Sequence, residues 1–317
     1  MMPTPPQSHL PLGTGVEFDA IRAMLQVWGS QASGIGDDAA MLQVPAGESL
    51  VVSTDATFEH VHFRREWLTP HEIGARAAAA ALSDLAAMGA TPAGLLLALG
   101  VPPAWRGEME ALAHGVGEVA AAALCPIVGG NVTRAGELSL TITVLGTSPR
   151  PLQRAGARTG DALYVTGMLG GPGAALDALL RGATPRDVDR ARFAAPRARI
   201  AEGRWLAEHG ARAAIDVSDG LIADAGHLAA ASDVRVVIEL ASLPCLDGIT
   251  PEGAASSGEE YELLVAFPAD ARPSADEFRA QFDLPLTEVG FVAEGHGVGL
   301  DGRGGRVDLL RGYDHLS

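Results

Sequence analysis

Four short acidic stretches set aspartate beside small or hydroxyl-bearing residues: Asp37–Asp38 in GIGDDAAML, Ser53-Thr54-Asp55, Ser83-Asp84, and Asp216-Val217-Ser218-Asp219. Adjacent carboxylates disfavour one another's ionised form, so each stretch calls for a positive partner. The chain contains no lysine, and all 23 of its Lys-plus-Arg residues are arginine. Oxygen donors without clustered cysteine or His-x-x-x-His spacing select hard cations, and Mg²⁺ prefers one or two carboxylates, retained water and substrate phosphates. Asp84 is the sharpest of the four, because AAAAALSDLAAMG surrounds it with apolar helix-forming residues. An ionised carboxylate in such surroundings is costly unless paired or metal-bound. Arg76, two turns earlier, or a cation would be its partner. Taken singly, any of these aspartates suits a turn or a cap. Together, in a lysine-free chain, they point to phosphoryl chemistry, in which dications must neutralise phosphates before another anion approaches.

Other residues suit the same chemistry less specifically. Gly129–Gly130 in VGGNVTRAG would let backbone N–H groups approach an anion, with Asn131 offering a neutral oxygen and Arg134 a charge; a plain turn explains the same letters. Arg154 follows an apparent linker. His60 and His62 sit close after Asp55, and Glu259–Glu260 stand just before a strand. Tyr313, near the end, could stack on a planar ring or simply pack. The glycines from Gly167 to Gly171 suit the start of a helix as well as a loose phosphate loop. The missing lysine excludes a Walker-A loop, a protein-kinase strand lysine and a Schiff base. Neither GxSxG nor HExxH occurs, which leaves hydrolase readings little support.

These residues need a scaffold of two domains. A length of 317 residues with 47% hydrophobic content supplies cores for both. A net charge of −16 argues against nucleic acid as a partner. Cys125 and Cys245 are distant and suit a reducing cytoplasm, and the N-terminus lacks the pattern of a signal peptide. The uncharged run 85–105 is broken by Gly89, Pro92, Gly94 and Pro102–Pro103, so it is expected to be buried core, not a membrane span. Helices are expected at 15–28, 69–88, 105–123, 196–208 and 221–231. Strands are expected at 50–55, ending in the polar cluster, and at 94–99, 138–146, 162–167, 213–220, 234–240 and 261–267. Thr69-Pro70-His71-Glu72 carries a capping box and a proline in the first turn. TSPRPLQ marks the domain boundary, and GHGVGLDGRGGRV suggests hairpin turns. Alternating strands and helices in both halves give an α/β or α+β protein.

Read in order, GIGDDAAML, STDATFEHVHF, LSDLAAMGATP, IVGGNVTRAG, GDALYVTG, IDVSDGLIADAGHLAAAS, SGEEYELL and GYDH span almost the whole chain. Together they resemble the thiamine-monophosphate kinase family of the aminoimidazole-ribonucleotide-synthetase-like (AIR-synthetase-like) superfamily. The resemblance implies two AIR-synthetase-like α/β domains, 1–148 and 149–317, the first dimerising through its sheet. It implies direct transfer of the ATP γ-phosphoryl group to thiamine monophosphate, several Mg²⁺ ions, no covalent nucleophile, and a cytoplasmic homodimer with neither nucleic acid nor membrane as a partner. Asp38, Ser53, Thr54, Asp55, Asp84, Asp216 and Asp219 match the family's metal ligands. Gly130, Asn131, Arg154 and Ser218 match its ATP contacts, and His62, Glu259 and Tyr313 its substrate contacts. One departure stands out. Asn131 occupies the place of a metal-binding aspartate, which keeps a ligand oxygen but removes a charge. It keeps open two alternatives: another ATP-using enzyme of the superfamily, or a nucleotide- and Mg²⁺-binding homologue whose catalysis has lapsed.

Overall fold

The computed structural model describes residues 9–301, which divide into two compact units. One comprises 9–85 and 91–149; the other comprises 86–90 and 150–301.

The first unit begins with helix α1 (Val16–Trp28) and strand β1 (Ser49–Phe58). Helix α2 (Pro70–Ala87), β2 (Thr91–Val101), α3 (Met109–Ala122), β3 (Ile127–Arg134) and β4 (Ser139–Ser148) follow. The strands lie in the order β1-β4-β2-β3, antiparallel except for the parallel β2–β3 pair. Successive residues of a strand face opposite ways. Leu95, Leu97, Leu99, Leu140, Ile142 and Val144 are therefore buried on one face, while Thr54, Leu96, Ala98, Thr141, Thr143 and Leu145 alternate to the other. That second face is open, with Leu50, Val52 and Phe58 of β1 each more than 40% exposed.

Helix α2 starts where its capping box predicts. The Thr69 N–H donates to the Glu72 carboxylate at 2.8 Å, and the Glu72 N–H donates to Thr69 Oγ1 at 3.3 Å. Its alanine-rich surface lets α3 come very close: a Cβ at Gly74 would lie 2.1 Å from the Leu112 carbonyl oxygen. A Cβ at Gly115 would lie 2.0 Å from that of His71. Small residues at this crossing permit the backbones to touch.

In the second unit β5 (Ala162–Thr166), α4 (Gly171–Leu180), α5 (Asp187–Ala194), α6 (Ile200–Glu208), β6 (Ala213–Asp216) and α7 (Leu221–Ser232) come first. Then follow β7 (Arg235–Glu239), α8 (Pro251–Ser256), β8 (Leu263–Phe267), α9 (Ala275–Phe282), β9 (Leu286–Ala293) and β10 (Gly297–Asp301). The sheet order is β10-β7-β9-β5-β8-β6. Its core joins Ile215, Val236 and Leu264 of the strands to Leu221, Ile222 and Leu228 of α7 and Ala254 and Ala255 of α8.

Three local expectations are revised. β1 does not stop at Ser53-Thr54-Asp55 but runs on to Phe58, because β4 pairs with its whole length. Gly129-Gly130-Asn131 is not a loop but part of edge strand β3, drawn into the sheet by its parallel partner β2. β10 forms no hairpin with β9: it pairs in parallel with β7, the link turning at Gly295 (φ +114°) and Gly297 (φ +75°). Glycine adopts such dihedrals at little cost. No helix of the described residues is long and apolar enough to cross a membrane.

Candidate active site

Alternation along β1 separates three neighbouring residues that the sequence groups together. Ser53 Oγ donates to the Asp84 carboxylate at 2.5 Å, joining β1 to α2 on the helix-covered side of the sheet. Asp55 shares that side, and its Oδ1 accepts from the Ala56 N–H at 2.7 Å. Thr54 points to the open side, where its hydroxyl lies 3.0 Å from that of Thr143. On the open side Thr143 lines a cavity of about 570 Å³ together with Asp37, Asp38, Gly130 and Asn131. The GIGDD turn and the GGN strand are thus neighbours. Asp37 and Asp38 are exposed, and their turn is held by an Asp38 N–H bond to Asp37 Oδ1 at 2.8 Å. Asp38, Asp55 and Asp84 do not form a trio with ligand atoms within 4.8 Å of one another.

His62 follows β1 in a tight turn whose corner, His60, has φ +68°. The Phe58 N–H donates to His62 Nδ1 at 3.1 Å. That bond places the neutral ring's own proton on Nε2. Nearby Glu59 is buried and accepts from Trp105 Nε1 at 2.9 Å and from the Leu138 N–H at 3.3 Å, a supporting role the sequence did not reveal. Cys125 is an inert core thiol, pushed up to about 12 by burial.

The second unit gathers its acids more tightly. Asp216 ends β6 and is 5% exposed. Ser218 and Asp219 form the turn into α7, and Gly220 (φ +119°) closes it. Asp224, in the first turn of α7, accepts from the N–H groups of Ser218, Asp219 and Gly220 at 3.0, 3.1 and 3.1 Å. Its carboxyl is pushed up to about 8, first by burial and then by the charges of Asp216 and Asp219, despite the N–H bonds that oppose the rise. One potential ligand atom each from Asp219, Asp224 and His227 lies within 4.8 Å of the others, the one such trio of acidic, His or Cys groups among the described residues. Carboxylate oxygens are the donors Mg²⁺ selects, so Asp216 and Asp219 fit that ion. Sequence reasoning missed Asp224; its signal was an aspartate one turn into a helix that follows a DG turn.

A second buried network lies around the start of β8. Glu262 accepts from Arg199 (Nε 2.8 Å, Nη2 2.6 Å), from Thr166 Oγ1 at 2.7 Å and from Arg192 at 3.2 Å. Glu260 accepts from the Gly170 N–H at 2.6 Å and from Ser257 Oγ at 2.5 Å. The glycine turn before α4 is therefore not an open phosphate loop, because a carboxylate of the chain itself sits at that helix start. Burial is the main cause that pushes Glu260 up to about 7. Glu259 and Tyr261, on either side of it, both adopt left-handed backbone (φ +62° and +52°), and the Tyr261 hydroxyl donates to Glu259 at 2.9 Å. Arg154 is exposed, with its carbonyl accepting from Ser232 Oγ at 2.9 Å. Tyr313 lies outside the described residues.

Residues 36–148 match the family model for the AIR synthase related protein N-terminal domain, and 158–303 the model for the C-terminal domain. The thiamine-monophosphate kinase of Escherichia coli K12 is 37% identical over 309 residues, covering 90% of this chain and 92% of that protein. This chain belongs to the thiamine-monophosphate kinase family. Solved structures of the family share its fold. The thiamine-monophosphate kinase of Stenotrophomonas maltophilia K279a superimposes with a TM-score of 0.81 at 37% identity, covering 93% of this chain and 98% of that one. AaThiL complexed with AMPPCP and TMP gives a TM-score of 0.77 at 31% identity, covering 94% and 96%.

Proposed function

We propose that this chain transfers the γ-phosphoryl group of ATP to the phosphate of thiamine monophosphate, giving thiamine diphosphate and ADP. A phosphate oxygen of the acceptor forms the new P–O bond in line as the bond between the β,γ-bridging oxygen and the γ-phosphorus breaks. Its electron pair leaves with ADP, and no phospho-enzyme forms. The observation that carries this reading is the likeness, over 94% of the chain, to a family structure holding both AMPPCP and TMP.

Asp38, Ser53, Thr54, Asp55, Asp84 and Asn131 of the first unit, with Asp216 and Asp219 of the second, are assigned to Mg²⁺. Bound there, the ions would neutralise phosphate charge, the task for which this chain has no lysine. Gly130, Asn131, Arg154 and Ser218 are assigned to ATP; His62, Glu259 and Tyr313 to thiamine monophosphate. His62 presents Nε2–H as a donor suited to a phosphate oxygen. Glu259 offers a carboxylate, oriented by the Tyr261 hydroxyl, to the amino-bearing ring. The apolar strip Leu50, Val52 and Phe58 supports a homodimer formed through the open sheet face. An ATP-dependent reaction in a protein with two distant cysteines favours the cytoplasm.

Incubating the protein with ATP, MgCl₂ and thiamine monophosphate, and separating the products, tests the assignment. Thiamine diphosphate in step with ADP is expected. ADP release only with a different acceptor would point to another activity of the superfamily.

A further inference from the structure

We propose that Asp224 is a positioning residue: its carboxylate fixes the Ser218–Gly220 turn, and through it the side chains that meet nucleotide and metal. The inference rests on the assignment of Ser218 to ATP and of Asp216 and Asp219 to Mg²⁺.

The three donors that reach Asp224 decide between this role and ordinary capping. A capping side chain serves the N–H groups of the first turn and, in a capping box, that of the N-cap residue. Gly220 is the N-cap of α7, so its bond to Asp224 is of that ordinary kind. Ser218 and Asp219 lie before the cap, and their bonds order the loop rather than the helix. A single oxygen, Asp224 Oδ2, accepts all three, and the residue is 2% exposed, so water does not compete for them. The Asp224 N–H also returns a 3.0 Å bond to the Gly220 carbonyl.

Backbone bonds hold the opposite side of the turn. The Val217 N–H donates to Glu262 O at 2.8 Å, Tyr261 N–H to Val217 O at 2.9 Å, and Glu259 N–H to Ser218 O at 2.7 Å. Sheet-like bonds thus fix one edge of the turn and Asp224 the other. Without Asp224, three consecutive N–H donors would lose their acceptor and form a small anion-binding concavity. The turn would relax or capture an anion in the wrong place. Either outcome moves Asp219 while leaving its carboxylate chemically intact.

The test uses the full chain with Asp224→Ala, Asp224→Asn and Asp224→Glu, and Asp219→Asn as a reference. Binding of AMPPCP is measured by calorimetry at graded MgCl₂ concentrations, alongside melting temperature without MgCl₂ and KM for thiamine monophosphate. Asp224→Ala is expected to raise the MgCl₂ needed for half-maximal AMPPCP binding about tenfold, the scale for losing a group that orients a metal ligand. KM for thiamine monophosphate should stay near its starting value. Asp224→Asn keeps an acceptor oxygen and should recover most of the loss, whereas Asp224→Glu keeps the charge, displaces the oxygen, and should not.

A lower melting temperature with an unchanged MgCl₂ requirement would reduce Asp224 to a structural group and overturn the proposal. Equal impairment in the Asn and Ala variants would make its charge, not its position, the active property, and would also overturn it. If the Ala variant fails to fold, the contrast between Asn and Glu decides. An unchanged MgCl₂ requirement in Asp219→Asn would instead remove the metal assignment beneath the inference.

Discussion

The two units carry paired aspartates in opposite ways. Asp37–Asp38 is an exposed turn beside an open cavity, and the Asp38 N–H donates to its own neighbour, Asp37. Asp216–Asp219 is enclosed: its turn is bonded on one side to the residues before β8 and on the other to Asp224. Enclosure settles the cost of crowding acids at folding, so little order remains to be imposed when a ligand arrives. The exposed turn leaves that ordering to the binding event.

Substitutions of single acids would break this comparison most directly. Asp219→Asn is expected to lower kcat/KM at least about 100-fold, the scale on which removing one charge-stabilising group acts. Asp38→Asn should cost less at saturating MgCl₂, because its turn can readjust. Steady-state kinetics at several MgCl₂ concentrations would rank the two, and an equal or larger loss at Asp38 would reverse the order. Asn131→Asp sharpens the same point at the cavity shared with Asp38. An added charge among the ligands should lower the MgCl₂ requirement a few-fold. An unmoved requirement would mean that Asn131 does not touch the metal.

Folding stability offers a gentler test. Glu260 holds its proton up to about pH 7 in the folded state, against an ordinary value of 4.5. Below about pH 4.5 both states are protonated, so the group's contribution to stability is complete and does not change with pH. Between there and pH 7 the unfolded chain releases the proton first, so the melting temperature should fall as pH rises and then level off. Asp224 pulls the same way up to about pH 8 when no metal is bound. Glu260→Gln should flatten part of that fall; a profile that keeps its full slope would contradict the burial cause. Smallest of all, Thr69→Ala removes one half of the α2 capping box and should lower stability by about 1 kcal/mol. It should leave the MgCl₂ requirement alone, serving as a control for damage confined to the first unit.

Some of this was readable in the letters. The start of α2 was, since a capping box is decided within four residues. GIGDD and GGN were each read as suited to phosphate chemistry, and they line one cavity. What escaped reading depended on distant pairing. Gly129–Gly130 became a strand only because β2 lies beside it, and β10 chose β7, about sixty residues earlier, over the adjacent β9. Ser53, Thr54 and Asp55 looked like one cluster, yet the period of two in a strand sends Thr54 to the other side of the sheet. Asp224 was overlooked, and Glu260 was noted only as an acid before a strand, for another reason. Both are acids that serve the chain's own backbone, and nothing in their immediate spacing separates that duty from a surface charge.

Glu260 at the start of α4 and Asp224 at the start of α7 have one more effect. Free oxyanions such as sulfate or vanadate usually settle on N–H groups of this kind. Here they would meet carboxylates already in residence. Mimics of the transferred group should consequently bind only as dication complexes, and a useful inhibitor would bring its own counterion or avoid anionic charge altogether.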